Sequence, residues 1–244
     1  MSPSDLQRLR SALQGYTRDE RQELFRILRE EFPIHDLETR LGATAEIILE
    51  AIARSSDLTL RGVRGVIAEA AFKEHVVIPL LTDGWREDMV GGDSAFDFRL
   101  AEPATLTQAA PEVRIQVKMQ RQKEQRPMYA SEASRRLFPR GTTMWVVETQ
   151  RTRGGTNAQG HNTRPYRFGE FDILAVALHP STQDWSRFRY TVGRWLIPDR
   201  DDRELIFKYQ PVPPVANSDW TDDLREAVAW FHGGQQKEID REWP

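Results

Sequence analysis

The chain has 244 residues, 39% of them hydrophobic and 29% charged, with a formal net charge of −3. That composition can bury a core, and it excludes both a disordered chain and a uniformly basic nucleic-acid coat. Cysteine is absent, which excludes disulfides, thiolate zinc sites and a cysteine nucleophile. No apolar run reaches the roughly 18 residues of a membrane span, and no apolar signal-peptide core follows Met1, so a cytoplasmic protein with no membrane association is expected.

The first elements read as helices. Leu6 to Phe32 is rich in Leu, Arg and Glu and is interrupted at Gly15-Tyr16. Thr17 followed by Glu20 is a capping-box pattern for a second helix, which Pro33 ends. Leu37 to Ala53 predicts a third amphipathic helix. Residues 1–58 are therefore expected to form a helical N-terminal segment, with 59–244 as one continuous domain. That domain opens on a helix predicted over Leu60 to Leu81, apolar at Val63, Val66, Ile67, Ala70 and Val77, carrying Glu69 and closed by Pro79. Asp83-Gly84-Trp85 is a turn leading to Gly91-Gly92 and Asp93.

Two stretches then alternate apolar and polar residues, as short half-buried strands do: Ala95 to Leu100 and Val113 to Met119. The segment between them carries Pro103 and Pro111 and reads as the connection of a hairpin. Side chains alternate along a strand, so Gln116 and Lys118 share a face, and hairpin pairing can bring Asp97 beside them. A carboxylate, an amide oxygen and an ammonium converging there suit a hard metal ion and a phosphodiester. Further along, Met128 to Phe138 predicts a short helix and Thr142 to Gln150 a strand. Arg151 to Pro165 is a long irregular loop of the kind that is usually functional or disordered. Phe171 to Leu178, Phe188 to Ile197 and Leu205 to Tyr209 are further strand candidates. Asp219 to His232 predicts a helix with Trp220, Leu224, Val228 and Phe231 on one stripe. The class expected is α/β.

Charge is unevenly distributed. From Arg114 to Arg140 eight cations face only Glu124 and Glu132, and from Arg151 to Phe168 four arginines meet no acid. The five histidines are scattered without metal-ligand spacing. No phosphate loop ending in Lys-Ser or Lys-Thr and no Gly-x-Ser-x-Gly is present, which argues against a P-loop ATPase and an α/β-hydrolase. The Gln-x-Lys tripeptide occurs twice, at Gln116-Val117-Lys118 and at Gln235-Gln236-Lys237, and only the first lies in a strand pattern.

The order of a Glu69 helix, then Phe96-Asp97-Phe98, then Val113-Arg114-Ile115-Gln116-Val117-Lys118 resembles the PD-(D/E)xK nuclease core in its QxK variant. The continuation Trp145-Val146-Val147-Glu148-Thr149-Gln150-Arg151, followed by Pro165-Tyr166-Arg167-Phe168-Gly169-Glu170-Phe171-Asp172, resembles type II restriction endonucleases in particular. The resemblance spans about Leu60 to Tyr190. It departs from the family pattern in that Phe96 stands where the proline would be and Gln116 replaces the second acid.

The resemblance implies a mixed central β-sheet flanked by helices, a restriction-endonuclease-like core, and sequence-specific hydrolysis of double-stranded DNA with Mg²⁺. It implies Asp97, Gln116 and the Val117 carbonyl as metal ligands, Lys118 beside the attacking water, and Glu69 orienting a water or a second metal. Asp93 is an alternative ligand to Asp97. Base reading favours Arg on guanine and Asn or Gln on adenine. That vocabulary is present in the loop at Arg151, Arg153, Asn157, Gln159, Asn162, Arg164 and Arg167, and again at Gln120, Arg121 and Lys123. A homodimer and a cognate DNA methyltransferase are the partners implied. The alternatives are a non-catalytic DNA-binding protein with a decayed site and a repair or structure-specific nuclease with the same core.

Overall fold

The computed structural model describes residues 3–31, 35–92, 94–103, 111–124, 126–141, 143–151, 154–155 and 164–241. The chain divides into two compact units, Met1–Leu60 and Arg61–Pro244. The first holds α1 (Pro3–Gly15), α2 (Arg18–Glu31), α3 (Leu37–Leu41) and α4 (Ala45–Ala53). The capping box at α2 forms as its residues dictate: Glu20 N donates to Thr17 Oγ1 at 3.3 Å, and Thr17 N donates to Glu20 Oε2 at 2.7 Å. The single helix expected over Leu37 to Ala53 is two. Gly42 takes φ of 60°, the left-handed conformation that ends α3, and its N–H caps on the Glu38 carbonyl.

The next helical stretch also differs from its sequence reading. α5 (Asp57–Phe72) passes through a π-helical turn, Lys73–Val77, into α6 (Ile78–Thr82). Pro79 therefore does not close the helix. It lies in the first turn of α6, directly after the π-helical turn, and the helix runs on past it to Thr82. The inward face differs too. Ala68, Phe72, Val77 and Leu80 are buried, while Val66 and Ile67, expected inside, are exposed.

Five strands make the central sheet: β1 (Arg86–Asp88), β2 (Phe98–Ala101), β3 (Glu112–Met119), β7 (Ile173–Ala177) and β8 (Phe188–Val192), in the order β1-β2-β3-β7-β8. Among the described residues only the β3–β7 pair is parallel, so the sheet is mixed. Between β3 and β7 the chain forms the two-residue strands β4 (Gln122–Lys123) and β5 (Arg126–Pro127), which pair as a hairpin. It continues through α7 (Ala130–Ala133) and β6 (Trp145–Glu148). After β7 come α8 (His179–Thr182), β8, a 3-10 turn at Gly193–Trp195, β9 (Tyr209–Val212) and α9 (Leu224–His232). β9 pairs antiparallel with β6, so the strand expected over Leu205 to Tyr209 starts only at its last residue.

Helices pack on the sheet through apolar residues that the alternation makes available. Phe98, Leu100, Val113, Ile115 and Val117 are buried, and the Phe72 ring of α5 lies 5.0 Å from Phe98 and 5.3 Å from Phe188. α9 buries Leu224, Ala227 and Val228, with Asp223 capping it through the Arg225 N–H at 2.8 Å. β7 is apolar throughout and buried throughout, as a strand hydrogen-bonded on both edges and covered on both faces should be. Among the described residues no helix is long and apolar enough to cross a membrane.

Candidate active site

The site grows from the register of β2 against β3. Phe98 pairs with Ile115. Asp97, one residue before the strand, therefore meets Gln116, and Asp97 N donates to the Ile115 carbonyl at 3.0 Å. Asp97 Oδ2 accepts two hydrogen bonds, from Gln116 Nε2 at 2.6 Å and from Val117 N at 2.8 Å. Gln116 is 2% exposed, and its Nε2 also donates to the Val117 carbonyl at 3.0 Å. Both amide hydrogens are engaged, while Asp97 Oδ1 and Gln116 Oε1 accept no hydrogen bond among the described residues.

Three charges share this corner of the sheet. Burial pushes the Asp97 carboxyl above its ordinary pKa, against the pull of the Lys118 ammonium and the Val117 N–H. Burial lowers the pKa of Lys118, and the negative charges of Asp97 and Glu69 oppose that shift. Glu69, on α5, is pushed up to about 7, first by burial and then by the Asp97 charge, with Lys118 pulling the other way. Lys118 Nζ forms no hydrogen bond and no ion pair among the described residues. A direct Asp97–Lys118 pair, the structural alternative for two opposite charges on adjacent strands, is thus not made. An ammonium that is partly buried, attracted by two carboxyls and still holding its N–H donors can bind a water and an anionic oxygen together.

A second ring of groups surrounds the first. Lys118 Nζ and Arg151 Cζ each lie 5.3 Å from the centroid of the Tyr166 ring. The Tyr166 hydroxyl is held protonated by burial, and the Asp97 and Glu69 charges add to the shift. Arg151 pairs with Glu170 at 2.8 Å. Glu148, at the end of β6, draws Arg121 to 2.7 Å, Lys208 to 3.4 Å and Arg164 to 3.9 Å. At the start of β3, Arg114 is clamped to Asp172 by three bonds to the carboxylate of 2.7–2.9 Å. Asp172 N returns a bond to the Arg114 carbonyl at 2.8 Å. Gly193 allows β8 to close on this corner, since a Cβ there would lie 2.8 Å from the Phe171 carbonyl oxygen.

The structure therefore brings together Asp97, Gln116, Val117, Lys118, Glu69 and Arg151. Arg121 and Arg164 flank them on Glu148. Lys123 is exposed on the β4–β5 hairpin. Arg167 is turned to Glu204 at 2.8 Å. Gln120 requires a correction: it is 0% exposed, because its backbone pairs into the sheet beside Val147 and its N–H donates to the Ala177 carbonyl at 3.0 Å. It cannot reach a base from there, and its own amide nitrogen and oxygen have no hydrogen-bond partner among the described residues. Arg153, Asn157, Gln159 and Asn162, and Asp93, lie outside the described residues.

Tyr166, Glu148, Glu170 and Asp172 went unnoticed as site groups in the sequence. The signal was faint but present: Tyr166, Glu170 and Asp172 crowd into one short segment just before an apolar strand, and Glu148 ends another. Among the described residues no group of three or more His, Cys, Asp or Glu side chains is placed to hold a metal ion. The oxygens on offer are instead one carboxylate, one amide and one carbonyl. These are hard donors of the kind Mg²⁺ accepts when water and substrate complete its shell.

No family model and no curated protein matches this chain. Among solved structures, that of a bacterial homing endonuclease, I-Ssp6803I, is similar over 73% of this chain and 96% of its own, with 17% sequence identity and a TM-score of 0.37. A likeness that low carries no weight for chemistry, which rests on the geometry of these residues.

Proposed function

We propose that this protein is a Mg²⁺-dependent endonuclease that hydrolyses phosphodiester bonds of double-stranded DNA at specific sequences, in the manner of a type II restriction enzyme. The observation that carries the reading is Lys118. Its ammonium keeps its N–H donors on the strand that also bears Gln116, attracted by Asp97 and by Glu69, whose carboxyl is pushed up to about pKa 7.

Asp97 Oδ1, Gln116 Oε1 and the Val117 carbonyl are the oxygens that would hold Mg²⁺, which supplies Lewis-acid polarisation of a phosphoryl oxygen and of water. The residues of the chain do the rest. Lys118 donates to the attacking water and to a non-bridging phosphoryl oxygen, offsetting charge as it grows in the transition state. Glu69, with its carboxyl at about pKa 7, takes the proton of that water as the new P–O bond forms, and the sugar oxygen leaves with the electron pair of the broken P–O bond and takes a proton from solvent water. Val117 N and Gln116 Nε2 fix Asp97 so that its other oxygen stays available. Arg121, Lys123, Arg151, Arg164 and Arg167 supply positive charge for the backbone and, with Arg153, Asn157, Gln159 and Asn162, the groups that read base edges. A homodimer would present two such sites to the two strands, and a cognate methyltransferase would protect host DNA.

A second reading, a DNA-binding protein whose nuclease site has decayed, is favoured by the bond from Gln116 to Asp97, which stands where a cation would otherwise bring positive charge. Digestion of plasmid and phage DNA with Mg²⁺ or with EDTA, followed by sequencing of fragment ends, separates these readings. Discrete bands with one common end sequence support a site-specific endonuclease. A smear or junction-only cutting means a different nuclease, and no cutting alongside retained DNA binding means the decayed site.

A further inference from the structure

We infer that Tyr166 is a positioning residue whose ring face holds the cations of Lys118 and Arg151 beside one another, so that both meet the same anionic phosphoryl group. This rests on the reading of the site as a phosphodiesterase. The ring is buried and packed. It is 3% exposed, Phe171 stands edge-on to it at 5.4 Å and 89°, and its own carbonyl accepts the Ile206 N–H at 2.8 Å. The two cations lie at equal distance from its centroid, 5.3 Å. Arg151 is tied to the same segment, by its N–H to the Arg164 carbonyl at 2.9 Å and by its guanidinium to Glu170.

The chemistry explains why a ring serves here better than another carboxylate. A partly buried ammonium must recover attraction lost with its water. A paired carboxylate would supply that attraction by taking the N–H groups themselves. An aromatic face attracts the charge through its quadrupole and leaves the donors available. Lys118 accordingly keeps its donors, with no hydrogen bond or ion pair at Nζ among the described residues. The Arg151 charge acts directly on Lys118, lowering its pKa, and an anionic group bridging the two cations relieves that repulsion. Arg151 then acts on the phosphate rather than on a base edge.

The test compares the wild type with Tyr166→Phe, Tyr166→Leu and a difluorophenylalanine at position 166, which keeps the ring's shape and weakens its quadrupole. The first readout needs neither metal nor DNA: the ring-current shift of the Lys118 ε-methylene in NMR, assigned with Lys118→Arg. An upfield position in the wild type and Tyr166→Phe, lost in Tyr166→Leu, is expected. A Lys118 signal at its ordinary position in the wild type would overturn the inference even if the leucine variant fails to fold. The second readout is steady-state cleavage. Tyr166→Leu and the fluorinated ring should lower kcat about 2- to 30-fold with KM little changed, and Tyr166→Phe should keep most of the rate. Full kcat in the fluorinated variant would overturn the positioning role. If the NMR shifts appear as expected and no variant, the wild type included, cuts DNA, the nuclease reading fails while the contact of ring and lysine stands.

Discussion

The two units of this chain use apolar residues in opposite ways. In the unit from Arg61 onward the sheet is sealed: every buried hydrophobic residue among those described lies at or after Ala68. In the unit up to Leu60, α3 and α4 bury nothing, and Leu49 is 64% exposed. Both regions carry amphipathic patterns. An amphipathic pattern records only that a face is apolar. It does not record what covers that face, and the second unit supplies a sheet for the purpose.

The largest break in this contrast would come from core truncation. Leu174→Ala, in the fully buried β7, is expected to lower stability by about 2–5 kcal/mol, whereas Leu49→Ala should stay within about 0.5 kcal/mol. Chemical denaturation of both variants checks this, and similar losses at the two positions would mean that the first unit has a core of its own. Next in size is Gln116→Glu. It sets a carboxylate where an amide now donates to Asp97 at 2.6 Å. Two carboxylates so close cannot both ionise. We expect a loss of about 1–3 kcal/mol at pH 8, smaller at pH 5 and reduced by Mg²⁺. A melting temperature indifferent to both pH and Mg²⁺ would mean that the two oxygens do not face one another.

Glu69→Gln sharpens the contrast through pH. In the folded chain Glu69 keeps its proton up to about pH 7, while its ordinary value is 4.5. The folded state therefore binds more protons than the unfolded one between those values, and stability falls as pH rises through that window. The wild type should lose ground to Glu69→Gln between pH 4.5 and 7 and hold a constant gap above it. Parallel melting curves across the window would contradict the raised pKa. A small loss is also expected in the first unit: Thr17→Ala removes the cap of α2 and should cost about 1 kcal/mol, read as faster hydrogen exchange of the α2 amides.

Sequence made the centre of the molecule legible because its signals are local. The alternation of Val113, Ile115 and Val117 gives β3, and the hairpin brings Asp97 to Gln116 by register alone. What stayed hidden depends on partners far away in the chain. Which side of α5 turns inward is decided by the Phe98 and Phe188 rings that meet Phe72, and the exposed Val66 and Ile67 look equally apolar in the sequence. Gln120 reads as an outward polar residue until its backbone bridge to Val147 carries it inside. Tyr166 gains its meaning only when its ring meets Lys118.

The most direct measurement is nicking of supercoiled plasmid in Mg²⁺ by the wild type, Asp97→Ala and Lys118→Met, with DNA affinity measured alongside in Ca²⁺. If the free Asp97 oxygen and the free Lys118 donors form a working hydrolytic site, the wild type cuts in Mg²⁺ and not in EDTA. Each variant then loses at least about 100-fold in rate while its affinity for DNA changes little. A folded Lys118→Met protein that nicks at the wild-type rate would contradict the assignment.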